Sequence, residues 1–169
     1  MKTIIISSSL SPESKSHILC MAVYKLLIQN IDCELIDLKN IELKPFHNQK
    51  SSEMVEISKK IKEADNLIIG MGVHNYSIND NLKILLDTCF EGAEGKFFGI
   101  LCAAGGERSY LSTMHLSQIC MNEWRMIQLP RVVYASRKHF SKNKISSKET
   151  NLIIHEFTKE FIEIGKKLL

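Results

Sequence analysis

Five short apolar runs, at 4–6, 33–38, 66–71, 97–103 and 128–135, alternate with five segments of helical apolar spacing. No other feature restricts the fold so strongly. Only 33–38 alternates clearly; 4–6, 66–71 and 97–103 are nearly continuous, which fits strands buried on both faces. The helical segments run from about 14 to 29, from 54 to 64, from 82 to 89, from roughly 110 to 122, and from 154 to 168. In the last, Ile154, Phe157, Phe161, Ile164 and Leu168 step by 3, 4, 3 and 4, the spacing of one helix face. Strands alternating with helices predict an α/β fold with a parallel sheet covered on both sides. Right-handed crossovers and five strands suit the order 2-1-3-4-5.

Such a sheet binds ligands beyond the carboxyl ends of its strands, where the order reverses. The turns after strands 1, 3 and 4 converge there, and they are the three most unusual loops of the chain. The first follows Ile4-Ile5-Ile6 and carries Ser7, Ser8, Ser9 and Ser11, then Pro12, before a helix begins near Ser14. Serines at this place have two readings. They cap the helix, with Pro12 at its first position, or they join the free N–H groups of the helix start in holding a phosphate. The turn lacks G-x-x-x-x-G-K-[ST] and G-x-G-x-x-G, which excludes an ATP-hydrolysing P-loop and a dinucleotide fingerprint. A single phosphate of a mononucleotide is what remains.

The second loop, 72–80, offers His74, Asn75, Tyr76 and Ser77 to the edge of a heterocycle. No acid–base partner for His74 is evident, and packing explains it equally. The third contains Ala104, Gly105 and Gly106, where missing side chains let a flat ligand approach the backbone, and Tyr110, placed to close over it. A plain turn explains these residues as well.

Read together, these loops resemble the NAD(P)H-dependent FMN reductase family. Residues 8–16, Ser-Ser-Leu-Ser-Pro-Glu-Ser-Lys-Ser, are similar to its phosphate loop G-S-x-(S/R)-x-x-S-(R/K)-S. GVHNYSINDNLK at 72–83 resembles P-E-Y-N-x-S-I-P-x-x-L-K, and Gly95-Lys96 followed by Ala104-Gly105-Gly106 resembles G-K-p-v…x-G-G. The resemblance implies a flavodoxin-like three-layer fold, one FMN-binding domain over 1–169, and FMN with NADPH or NADH as electron donor. It implies that Ser9, Ser11, Ser14, Lys15 and Ser16 hold the phosphate. Val73, His74, Asn75, Tyr76 and Ser77 would edge the flavin ring, with Ala104, Gly105, Gly106 and Tyr110 on its other side. It further implies hydride transfer to the flavin and on to a flavin, quinone or other small acceptor, with no catalytic side chain and no metal. A homodimer or homotetramer is expected, with Ile84, Leu85 and Phe90 as contact or core residues. Four positions depart from the pattern. Ser8 replaces Gly, Gly72 replaces Pro and Asn79 replaces the second Pro; His74 also stands where Tyr is common. Two consequences are open at these positions, weaker flavin binding or altered ring stacking, with the fold unchanged. A flavodoxin-type electron carrier and a flavin-free scaffold of the same fold are the alternative readings.

Composition excludes other classes. No apolar run approaches the ~20 residues of a membrane helix, and no secretory leader is visible. The five cysteines form no C-x-x-C pair and read as reduced, mostly buried thiols of a cytoplasmic protein. The net charge of +3 resides in residues 137–169, where eight Lys/Arg face four Glu. With no nucleic-acid motif, a solvated helix face is the expected cause. Strongly acidic electron carriers are the opposite case.

Overall fold

The computed structural model describes residues 1–169. In chain order the elements are β1 (Lys2–Ser7), α1 (Lys15–Leu27), β2 (Asp32–Asp37), α2 (Ser52–Glu63), β3 (Asn66–His74), β4 (Ser77–Ile78), α3 (Asp80–Cys89) and β5 (Phe97–Ala104). Then come α4 (Thr113–Glu123), β6 (Ile127–Gln128), β7 (Val133–Ser136), β8 (Phe140–Ser141), β9 (Lys144–Ile145) and α5 (Lys148–Lys167). The sheet runs β2-β1-β3-β5, all parallel, with β6 and β7 together completing its far edge against β5. This is the flavodoxin-like order, with the fifth strand in two pieces.

The apolar runs explain the layers. Ile4, Ile6, Leu67, Ile69, Phe98 and Ile100 face the core under α2, α3 and α4. Their neighbours Ile5, Ile68 and Leu101 face the core under α1 and α5. Successive side chains point to opposite faces, so a strand covered on both sides must be apolar throughout. Phe157 and Phe161 of α5 are fully buried, each worth about 1.5–3 kcal/mol of burial. A Cβ on Gly99 would lie 2.5 Å from the Phe157 ring, so this glycine lets α5 reach the sheet.

Four sequence expectations change in detail. The fifth strand breaks at Leu129–Val132, because Pro130 has no N–H for the ladder. Arg131, within the break, takes Glu160 of α5 in a bidentate pair at 2.9 and 2.8 Å and meets Glu156 at 2.8 Å. The fourth helix is preceded by a 3-10 turn, Glu107–Ser112. Residues 72–80 are not all turn: β3 continues to His74 and pairs with β4. Residues 136–147 contain the β8–β9 hairpin, with Lys142 and Asn143 at φ 45° and 57°. No helix is long and apolar enough to cross a membrane.

Candidate functional site

The serine turn is anchored before it can bind anything. Ser8 is fully buried. Its N–H donates to the Gly70 carbonyl at 3.1 Å, and its hydroxyl lies 2.7 Å from that oxygen and 2.8 Å from Asn79 Oδ1. Ser14 is the N-cap of α1, accepting from His17 N–H at 3.0 Å, and its hydroxyl meets that of Ser16 at 3.1 Å. Capping and anion binding are therefore compatible: the cap uses one lone pair of Ser14, while the first-turn N–H groups keep their partial positive charge. Ser9 Oγ accepts from Ser11 N–H at 3.3 Å, which folds the turn over. Lys15 is turned aside: its Nζ donates to Asn143 Oδ1 at 2.7 Å and sits 5.8 Å from the centre of the Phe140 ring.

In the second loop only Gly72, Val73 and His74 reach the same cavity as the serines. Asn75 and Tyr76 form the tip of the β3–β4 hairpin at φ 48° and 60°, with Tyr76 63% exposed. Ser77 is engaged with His115 Nδ1 of α4 at 3.0 Å. His74 lies 3.8 Å from Asp80 at the surface, a loose contact that does not orient the ring for proton transfer.

The third loop is held from β7. The Tyr134 hydroxyl donates to the Gly106 carbonyl, and Tyr110 packs edge-on against the Tyr134 ring at 5.3 Å. Lys138 pairs with Glu107. That hydrogen bond and charge hold the Glu107 carboxyl below its ordinary range, while burial raises the Tyr134 phenol. Tyr110 thus braces the loop from outside and does not line the cavity.

Between these loops lies a cavity of about 520 Å³, within the range of small-molecule sites. Ser9, Ser11, Ser14, Lys15 and Ser16 line one end of it; Val73, His74, Ala104 and Gly105 are among the residues of the rest. Asn75, Tyr76, Ser77, Gly106 and Tyr110 stand around it and not in its wall. A Cβ added to Gly72 or Gly105 would meet no protein atom within 4 Å; it would project into open space beside the bare backbone. A larger cavity of about 710 Å³ lies on the flank, lined by residues such as Phe46, Asp87 and Trp124. It shares no residue with the three convergent turns, and the smaller one carries the donor chemistry.

Sequence reasoning missed Arg137 and Phe140, which also line this cavity, because only the turns after strands 1, 3 and 4 were expected to converge on it. It missed Asn143, which engages Lys15, and His17, whose Nδ1 lies 3.0 Å from Ser7 Oγ and 3.4 Å from Asp37 Oδ2 behind the turn. The absence of acidic residues from 137–148 was the available signal for the first group.

The arrangement suits an anion at the serine end and a flat polar ring toward the glycines. The model of NADPH-dependent FMN reductases matches residues 1–140. No curated protein sequence matches the chain. Among solved structures, an oxidoreductase from Corynebacterium diphtheriae is 19% identical with a TM-score of 0.79, covering 99% of this chain and 98% of that one. The flavoenzyme NAD(P)H:(acceptor) oxidoreductase FerB of Paracoccus denitrificans is 14% identical with a TM-score of 0.81, covering 99% and 98%. A flavodoxin from the domain Archaea is 18% identical with a TM-score of 0.66, covering 99% of each chain. At these identities the structural likeness is one of fold.

Proposed function

The chain belongs to the NADPH-dependent FMN reductase family, and from that premise we propose that it passes electrons from NADPH or NADH, through FMN held in the 520 Å³ cavity, to a free flavin, a quinone or another small acceptor. The observation that carries the site is the convergence of the serine turn and the bare Gly72 and Gly105 backbones on one cavity.

The donor set fits FMN. Ser9, Ser14 and Ser16, with the first N–H groups of α1, would take the phosphate. Val73 and His74 would border the ring on one side, and Ala104 and Gly105 would let it lie against backbone on the other. When bound, the flavin supplies the hydride-accepting and electron-donating chemistry. The protein's own part is to bind, to orient and to keep one side open. No acid–base residue is needed, in keeping with the loose His74–Asp80 contact. Backbone N–H groups beside Gly105 would favour negative charge developing near them.

We propose further that residues 1–169 act as one domain, because α5 lies beyond the matched region yet its Phe157 and Phe161 complete the core against β5. The protein would act in the cytoplasm, in line with five free cysteines. A homodimer or homotetramer is proposed from the exposed apolar side chains of Tyr76, Leu111 and Met114. Leu85 and Phe90 are fully buried in the chain's own core and are not contact residues.

Steady-state kinetics tests the reading. Donor and acceptor sharing one open cavity must enter in turn, so protein supplied with FMN should oxidise NADPH or NADH with parallel double-reciprocal lines. No turnover with flavin or quinone acceptors would overturn it.

A further inference from the structure

The basic excess of the C-terminal segment is not a helix face. Five of its eight Lys/Arg, namely Arg137, Lys138, Lys142, Lys144 and Lys148, fall within 137–148, where there is no acidic residue. Most of this stretch is a 3-10 turn, Arg137–His139, and the β8–β9 hairpin, and its Arg137 and Phe140 help to wall the cavity. The segment is fixed there from both sides. Lys138 grips Glu107 of the third loop, and Asn143 receives the Lys15 ammonium from the serine turn.

These contacts divide the cations. Lys138 is committed to a carboxylate and Lys15 to an amide and an aromatic face. Arg137 has neither an ion-pair nor a hydrogen-bond partner, is exposed, and lines the cavity that the serines enter. A guanidinium presents donors in a fixed fork that matches phosphate oxygens two at a time. Glu13 is the one carboxylate in the cavity wall and is offset by Lys15, so Arg137 gives the wall a net positive charge.

We propose that Arg137 is a phosphate-recognising residue of this cavity, held in place by the Lys138–Glu107 and Lys15–Asn143 contacts. Its ligand is a phosphate monoester. Two sources share that chemistry: the 5′-phosphate of FMN and the 2′-phosphate that separates NADPH from NADH. The inference rests on the reductase reading for the identity of the ligand, but not for the phosphate itself.

The test compares wild type, Arg137→Gln and Arg137→Lys. First, thermal midpoints are measured against inorganic phosphate without flavin. Wild type gains stability, Arg137→Gln loses most of that gain, and Arg137→Lys keeps part of it, having charge but no fork. Second, dissociation constants for FMN and riboflavin, and KM values for NADPH and NADH, are measured on each protein. Arg137→Gln lowers one of the two preference ratios by about tenfold, the loss of one charge-assisted phosphate contact, and the ratio that moves identifies the source. Equal phosphate dependence in wild type and Arg137→Gln overturns the proposal. Failure of wild type to bind FMN would instead overturn the reductase reading, with the inorganic phosphate result still deciding the role of Arg137.

Discussion

Ser8 and Asn79, seventy-one residues apart and both buried, hydrogen-bond to one another twice: hydroxyl to Oδ1 at 2.8 Å, and Nδ2 to the Ser8 carbonyl at 2.9 Å. Gly72 N–H also donates to Asn79 Oδ1, at 3.3 Å. Three of the four positions that depart from the reductase pattern are therefore one cluster. Proline at 72 has no N–H to offer, and proline at 79 would have no amide to receive it. Ser8 is not at positive φ, so glycine is not required there. Asn79 precedes α3 but makes no side-chain cap bond, its amide being used to tie the serine turn to the second loop. Ser8, Gly72 and Asn79 thus support one another, and together they fix the serine turn to the second loop.

This tie is measurable as coupling. Ser8→Ala and Asn79→Ala should each destabilise by about 1–3 kcal/mol, because each leaves buried polar groups without partners. The double variant should fall short of the sum by about 1 kcal/mol. Urea denaturation of the four proteins checks this; strict additivity contradicts the tie.

Ser14→Asp separates capping from anion binding. Aspartate caps a helix as well as serine, so stability should be unchanged. A carboxylate beside a phosphate should weaken FMN by about a hundredfold, taking roughly 3 kcal/mol of repulsion in a partly solvated site. Riboflavin, which has no phosphate, should bind as to wild type. Equal losses for both ligands contradict the phosphate assignment.

The fold was legible because apolar runs and helical periods both survive in the sequence, and the convergent loops follow from topology. The short elements were not legible. The two-residue strands β8 and β9 carry no period to read, and their turn uses Lys142 and Asn143 where glycine would have signalled it. Arg137 was hidden for the same reason, and the Lys15–Asn143 contact was not legible because the two residues are 128 apart. Ser8, Gly72 and Asn79 each looked like a defect singly; only contact shows them to be compensating.

The Glu107–Lys138 clasp sets a pH limit on the third loop. The folded carboxyl titrates below its ordinary value because Lys138 hydrogen-bonds it. Its contribution is therefore present above the unfolded value, about 4.3, and is lost as pH falls through the lowered folded value. An NMR titration should place the Glu107 midpoint below that of Lys138→Gln. Coincident midpoints contradict the clasp.

The thiols should be unreactive while the protein is folded. Burial pushes Cys102 and Cys120 up to about 12 and Cys20 higher still, and burial with Asp32 and Glu34 nearby pushes Cys33 to about 12. Since the thiolate is the nucleophile, these cysteines should label slowly with a disulfide reagent at pH 8, and all five rapidly in guanidinium. Fast stoichiometric labelling of native protein contradicts the burial.

The most direct measurement of the central claim is anaerobic stopped-flow absorbance of the FMN-loaded protein mixed separately with NADPH and NADH. The account predicts that the flavin absorbance bleaches in a concentration-dependent phase, and recovers when a free flavin or quinone is then added. Tight FMN binding without bleaching by either nicotinamide would contradict the reductase account and leave an electron carrier in its place.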